Sequence, residues 1–446
     1  MQHLADASTE ALDQPPPTIR RARFSTLRVF QTLIRWEWPI RLVSPFFGSF
    51  NPFLPEFRAD PYPFYRTLQA NHRVYVSRLL GNVCILSRYD DVVAVLGDPG
   101  FSVDRAQANI FQRMQPFRGL SADFVSAIHS ALLMIDPPAH TRLRRLVNKA
   151  FTPRVVEGLR GRVELLVDEM LDAVAARREM ELIGDLAYPL PVIVIAELLG
   201  IPTADRAQFK AWSDTLTVLL DPLQAGDGLS PTERAFREIA AYMRPIFAER
   251  RRAPRDDLIS ALVAVEEQGQ TLNETELLAL TMLILGAGHE TTTNLIANSV
   301  LALLRNPAER RRLQDDSSLM AAAVEEFLRY DSPVQMTDRV ATADCEVAGH
   351  PVRKGMIVAL LLGAANRDPM RFPDPDRLDV RREDNHHLSF GHGAHFCLGA
   401  ALARVEAQIT LAALLRRFPG FEGERAPRDW KRSMVLRGPT ALRLWW

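Results

Sequence analysis

The chain has 446 residues, 47% of them hydrophobic and 24% charged, with 54 basic and 54 acidic side chains. That is ordinary globular composition, and enough chain to bury a large core and enclose a sizeable cofactor. The zero net charge speaks against nucleic acid as a partner, and three widely spaced cysteines, Cys84, Cys345 and Cys397, speak against a disulfide scaffold and for a reducing, cytoplasmic setting.

Residues 1–17 are polar and end in Pro15-Pro16-Pro17, without the apolar core of a secretory signal. Residues 18–50 interleave Arg20, Arg21, Arg23, Arg28, Arg35 and Arg41 with Phe24, Leu27, Phe30, Leu33, Trp36 and Trp38. A short basic amphipathic helix ending before Pro39 could lie on a membrane surface. The reading adopted instead is an arm packed on the protein's own body. No stretch is long and apolar enough for a transmembrane helix. Residues 1–51 are expected as an N-terminal extension and residues 52–446 as one domain.

Val74-Tyr75-Val76 and Val83-Cys84-Ile85-Leu86 flank Gly81-Asn82, which predicts a hairpin. From about Asp90 to Tyr330, apolar residues recur at three- and four-residue spacing. The spacing predicts helices over 155–177, 186–199, 232–252, 274–305 and 318–330. Breaks fall at Gly200-Ile201-Pro202, Asp221-Pro222 and Asn306-Pro307. After Pro333, Val347, Val352 and Ile357–Leu361 predict short strands. A loop rich in Pro, Asp and Arg follows from Asn366 to Asn385, and a last helix runs from about Leu398 to Phe418. The expected fold class is mainly α with a minor β portion.

The strongest local signal is Phe390-Gly391-His392-Gly393-Ala394-His395-Phe396-Cys397-Leu398-Gly399. Two glycines in three residues permit a tight backbone. The cysteine lies just before a helix, whose N-terminal dipole favours thiolate over thiol. No second cysteine is near, which excludes a four-cysteine zinc or iron–sulfur centre. A lone thiolate in such a loop suits the fifth ligand of a haem; His392 and His395 are competing metal ligands.

This decapeptide resembles the haem-binding signature of the cytochrome P450 family, with Phe390, Gly393, His395, Cys397 and Gly399 at the fixed positions. The resemblance implies the mainly α fold of that family and one haem b. It makes Cys397 the iron ligand, Phe390 a neighbour of the sulfur and His395 a contact of a haem propionate, with Gly391 in the same loop.

In the middle of the longest apolar helix stands Leu285-Gly286-Ala287-Gly288-His289-Glu290-Thr291-Thr292-Thr293. Glycines and β-branched alcohols are poor helix material, so a bend or local opening is expected, with hydroxyls bonding to backbone carbonyls. The segment resembles the family's oxygen-activation motif at Ala287, Gly288, Glu290, Thr291 and Thr292. The resemblance places this helix over the distal haem face, with Thr291 hydrogen-bonding dioxygen there and Glu290 relaying protons through water.

Glu326 and Arg329 stand at i and i+3 on an otherwise apolar helix. They resemble the family's structural Glu-Arg pair, for which Arg382 is the candidate third partner, with Arg381 and Arg377 open. His140 and Arg144, at i and i+4 after Pro137-Pro138, can face one anion. In the family this stretch and an arginine matching Arg339 hold the haem propionates. The resemblance covers roughly residues 52–446.

Candidate pocket residues are Ile110, Phe111 and Met114 in the loop after Phe101. Leu283 and Ile284 come from the central helix, Val334 and Met336 follow the Glu-Arg helix, and Val435 lies near the C-terminus. Their apolar character points to a hydrophobic small molecule. The resemblance implies a monooxygenase that inserts one atom of dioxygen by hydroxylation or epoxidation. Electrons would come from NAD(P)H through a separate ferredoxin or flavodoxin and its reductase. The rivals are a peroxide-driven haem-thiolate peroxygenase, against which Glu290-Thr291 argues, and a non-catalytic haem-binding sensor.

Overall fold

The computed structural model describes residues 50–446 apart from 222–228 and 268. The expected arm over residues 18–50 therefore lies, but for its last residue, outside the described residues. Phe50 itself is buried and meets the Phe57 ring edge-on at 5.4 Å, so the packed body includes it.

The central helix Glu274–Arg305 organises the rest. Asn273 caps it by accepting from the Glu276 N–H at 2.9 Å, while the Glu276 carboxylate accepts from the Asn273 N–H at 3.0 Å. This reciprocal cap anchors the start of a helix that is apolar on nearly every face, and such a helix belongs inside a core. Helices Pro189–Leu198, Arg206–Leu216 and Ala400–Arg417 pack around it.

The helix runs through Gly286–Thr293 as one element, so of the expected bend or local opening the opening is absent. The threonine part of that expectation holds: Thr291, Thr292 and Thr293 each donate to the carbonyl four residues earlier. The glycines serve close approach. A Cβ at Gly288 would sit 2.5 Å from Ile195, and one at Gly286 would sit 3.1 Å from Leu216, so both neighbouring helices press against bare backbone.

The minor β portion is a five-stranded sheet in the order Val74–Ser77, Val83–Leu86, Ile357–Leu360, Thr337–Ala341, Phe101–Ser102. The expected hairpin forms its edge, and both Gly81 and Asn82 take positive φ in the turn. Ile357–Leu360 pairs parallel with the hairpin and antiparallel with Thr337–Ala341. This pairing fixes Arg339 opposite Val358 and so sets the wall of the site.

Three helix boundaries differ from the periodicity. The stretch 155–177 is two helices, Pro153–Gly158 and Arg160–Ala175, split just after Gly158, a residue of poor helix propensity. The stretch 186–199 becomes helical only at Pro189, whose fixed φ suits a first turn. The last helix starts at Ala400, three residues beyond Cys397.

Candidate active site

A cavity of about 330 Å³ opens where the central helix, the cysteine loop, helix Ala139–Ala150 and strand Thr337–Ala341 meet. Cys397 lines it and has accessible surface in the chain alone. The loop is shaped by Gly391 and Gly393, both at positive φ. At Gly393 a side chain would also press on the Leu96 carbonyl. The Cys397 N–H donates to the Phe390 carbonyl at 2.9 Å, which folds the loop back on itself. The Arg404 guanidinium lies 4.5 Å from the Phe390 ring centre.

Burial pushes the Cys397 thiol up. The Gly399 and Ala400 N–H groups and the Arg144 and Arg404 charges pull it down. The expected thiolate-favouring helix start is therefore present, but desolvation outweighs it in the chain alone. A coordinated metal deprotonates such a thiol outright.

Beside the sulfur stands a set of cationic and imidazole groups. Arg144 and Arg339 both line the cavity, and among the described residues neither has an ion-pair partner. Arg339 is 6% exposed and gives one N–H to the Asp338 carbonyl at 2.8 Å. Burial pulls both guanidinium groups below their usual range. His140 is buried with Nε2 lacking a partner, and its ring lies 4.1 Å from that of His395. Burial, followed by the neighbouring His140 and Arg339, pushes the His395 imidazole down to about 3. Two unpaired arginines and an orphaned buried nitrogen are a costly arrangement unless anions complete it. The donor set fits a haem: one thiol for the iron and these groups for two propionates.

Thr291 lines the same cavity, its hydroxyl donating to the Ala287 carbonyl at 2.9 Å. Ala287, Gly288, Leu283 and Ile284 line it from the same helix. Glu290 does not. Its carboxylate turns away from the cavity, Oε1 pairs with Lys431, and Oε2 lies 3.8 Å from His289 Nε2. Lys431 is 141 residues away in sequence, and no local pattern announces it.

The expected structural pair is assembled without solvent. Glu326 accepts from Arg329 at 2.8 and 2.9 Å and from Arg382 at 3.1 Å, with Glu326 and Arg329 fully buried. Arg329 also donates to the carbonyls of Asn366, Pro375 and Arg377. Satisfying this many donors is what makes a buried ion pair tolerable. Arg382 is thus the third partner, whereas the Arg377 guanidinium turns to Asp379 and Arg381 contributes its backbone N–H to Asp379.

Three further features escaped the sequence reading. Glu325 accepts from Arg404 at 2.7 Å and lies 3.1 Å from His387; these partners outweigh burial and hold its carboxyl down at about 2. Arg105 forks onto Asp338 at the cavity wall. Glu406, buried on the cysteine helix and lining the cavity, has an unpartnered Oε2, and burial pushes its carboxyl up to about 8.

Val334, Met336 and Val435 line the cavity as expected. Ile110, Phe111 and Met114 do not, and that expectation is corrected. The short helix Asn109–Met114 that carries them is held by the Asn109 N–H on the Gly355 carbonyl. Phe111 instead lines a separate cleft with Phe117 and Arg118. Val103 and Arg105, earlier in the same loop, reach the cavity in their place.

Residues 62–444 match the model of the family Cytochrome P450. Cytochrome P450 107B1 of Saccharopolyspora erythraea is 44% identical over 364 residues, which is 79% of this chain and 87% of that protein. The mycinamicin IV hydroxylase/epoxidase of Micromonospora griseorubida is 42% identical over 368 residues, 81% of this chain and 89% of that protein. Among solved structures, the Bacillus subtilis cytochrome P450 PksS of a bacillaene polyketide synthase superposes with a TM-score of 0.80 at 36% identity. The match covers 89% of this chain and 99% of that one. The chain belongs to the cytochrome P450 family.

Proposed function

We propose that Cys397 would supply the thiolate that holds the iron of a haem b, that Arg144, Arg339, His140 and His395 would hold its propionates, and that Glu290 and Thr291 manage protons on the substrate side. The family makes the protein a haem monooxygenase that inserts one oxygen atom into a small molecule. When bound, the haem supplies the iron at which dioxygen is activated. The observation that carries the residue assignment is the cavity itself: a thiol, two arginines without ion-pair partners among the described residues and the Thr291 hydroxyl are brought to one space from four separate elements.

The chain's own residues do the rest. Apolar side chains such as Leu283, Ile284, Val334 and Val435 line the substrate end, which favours a hydrophobic guest and limits bulk water. The Thr291 hydroxyl is held by the Ala287 carbonyl and can turn to offer its hydrogen into the cavity. Glu290 holds a proton-accepting oxygen one residue away, and a rotation of its side chain away from Lys431 carries that oxygen toward Thr291. Ala287, Gly288, Phe390, Gly391 and Gly399 leave a flat group room at the thiol.

Electrons reach the site from NAD(P)H through a ferredoxin or flavodoxin and its reductase. The setting is cytoplasmic, and no helix among the described residues is long and apolar enough to cross a membrane. Residues 52–446 form the catalytic domain, and residues 1–51 an extension whose last two residues already pack into the body.

The ferrous–carbonyl spectrum tests the assignment. Wild type is expected to show the red-shifted Soret band of thiolate ligation, and Cys397→Ala to lose it. A Cys397→Ala protein that keeps the band overturns the assignment.

A further inference from the structure

His289 precedes Glu290 on the central helix and is fully buried. Its Nδ1 lies 2.7 Å from Ser213 Oγ and 3.1 Å from the Leu285 carbonyl. Ser213 spends its own hydrogen on that carbonyl, at 2.6 Å. A Ser213 hydroxyl turned to Nδ1 would leave the imidazole hydrogen on Nε2; with that hydroxyl on the carbonyl, which only accepts, the hydrogen belongs on Nδ1. Nε2 is then a bare, buried base with no hydrogen-bond partner.

That nitrogen looks at two carboxylates. Asp214 Oδ1 is 3.6 Å away and Glu290 Oε2 is 3.8 Å away. Their surroundings differ: the Asp214 side chain is 46% exposed, that of Glu290 17%. A single basic nitrogen thus stands between an acid open to water and the acid beside Thr291. The other charged or titratable groups around it serve to hold the carboxylates. Tyr188 donates to Asp214 Oδ1 and packs its ring edge-on against His289 at 5.5 Å. Lys210 lies 3.5 Å from Asp214 Oδ2. Lys431 takes Glu290 Oε1 and leaves Oε2 toward His289.

We propose that Asp214 and His289 form the route by which protons from solvent reach Glu290; this rests on the reading of Glu290 and Thr291 as the proton-managing pair. A hydronium proton arriving from solvent is taken up by the Asp214 carboxylate, leaving water, and passes to Nε2, giving an imidazolium and the Asp214 carboxylate again. The same nitrogen then releases a proton to the Glu290 Oε2 carboxylate oxygen and returns to neutral imidazole. One proton enters and one leaves at each step, and no electrons move. Both gaps exceed a direct hydrogen bond, so each transfer proceeds after a small carboxylate rotation or through one bridging water. Ser213 is a positioning residue, because its contact with Nδ1 aims Nε2 at the two acids.

The test uses holoenzyme driven by NADPH through a plant-type ferredoxin and its reductase. It reads dioxygen consumption in light and heavy water, and peroxide released per dioxygen consumed. Asp214→Asn and His289→Phe are each expected to slow consumption by roughly 10-fold and to raise both the solvent isotope effect and the peroxide fraction. The double variant is expected to be no worse than the worse single one, since both lie on one route. If Glu290→Gln shows these effects and the other two do not, protons enter elsewhere and the inference fails while the role of Glu290 stands. If Glu290→Gln shows none of them, the underlying reading fails and this one with it.

A second readout does not depend on turnover. Histidine-selective nitrogen-15 NMR, with the signal assigned by its loss in His289→Phe, is expected to show His289 as the Nδ1–H tautomer, with its Nε2 resonance moving in Asp214→Asn. A hydrogen on Nε2 in the wild-type chain overturns the proposal. Haem content and the ferrous–carbonyl band serve as folding controls. Should His289→Phe fail them, Asp214→Asn, half exposed at the surface, decides the matter.

Discussion

The Arg382 guanidinium donates to the Glu326 carboxylate at 3.1 Å, joining a partly buried arginine to a fully buried acid 56 residues away in sequence. This contact ties the loop before the cysteine to helix Met320–Tyr330, and the Asp379 N–H reinforces it by donating to the same carboxylate at 2.9 Å. Removing one partner leaves part of a buried charge uncompensated. Arg382→Ala is expected to cost about 3–5 kcal/mol. Chemical denaturation of the haem-loaded protein checks this. A loss under about 1 kcal/mol would place the contact among ordinary surface pairs.

Thr291→Ala removes a hydroxyl from the cavity and little volume. Electron use is expected to continue while product per NADPH falls by roughly 10-fold or more, the missing electrons appearing as hydrogen peroxide. Peroxide and product assayed together read this out. Unchanged coupling would remove Thr291 from the proton-managing pair.

Arg144→Leu and Arg339→Leu each delete a guanidinium without an ion-pair partner among the described residues. Charge-assisted hydrogen bonds to a propionate are worth about 1.5–3 kcal/mol, so haem affinity is expected to drop about 10-fold or more in each variant. Transfer of haem to an acceptor protein measures it. A variant that holds haem as tightly as wild type places that arginine away from the propionates.

Glu406 gives a pH signature. Its carboxyl is pushed from its ordinary value of 4.5 up to about 8 by burial. Between those values the folded chain keeps a proton that the unfolded chain has released, so stability falls as pH rises through that window. Glu406→Gln removes the titration. The variant is expected to gain on wild type by roughly 1.4 kcal/mol per pH unit across the window, with no further gain above about pH 8. Tm measured at pH 5, 6.5 and 8 checks the trend. A difference that does not change with pH would show that Glu406 is solvated or paired.

Much of the site was legible because its signals are local. The cysteine loop declares itself through glycines at positive φ. The central helix declares itself through apolar spacing over 274–305 and its odd middle through threonines that bond one turn back. The role of the glycines was only half legible: Gly286 and Gly288 look like helix breakers in isolation, but in the fold Leu216 and Ile195 pack close against them within a continuous helix.

What the amino-acid order determined on its own was therefore chemistry held within one or two turns of chain: the Cys397 thiol in its glycine loop, the Glu290–Thr291 dipeptide and the Glu326–Arg329 pair. Tertiary structure alone decided which distant groups answer them. It set Lys431 on Glu290, Arg404 on Glu325 and Asp338 on Arg105, and it kept Ile110, Phe111 and Met114 out of the cavity. Side-chain periodicity reports which face of an element is apolar. It carries no record of which other element will cover that face, because that depends on how all the faces pack at once.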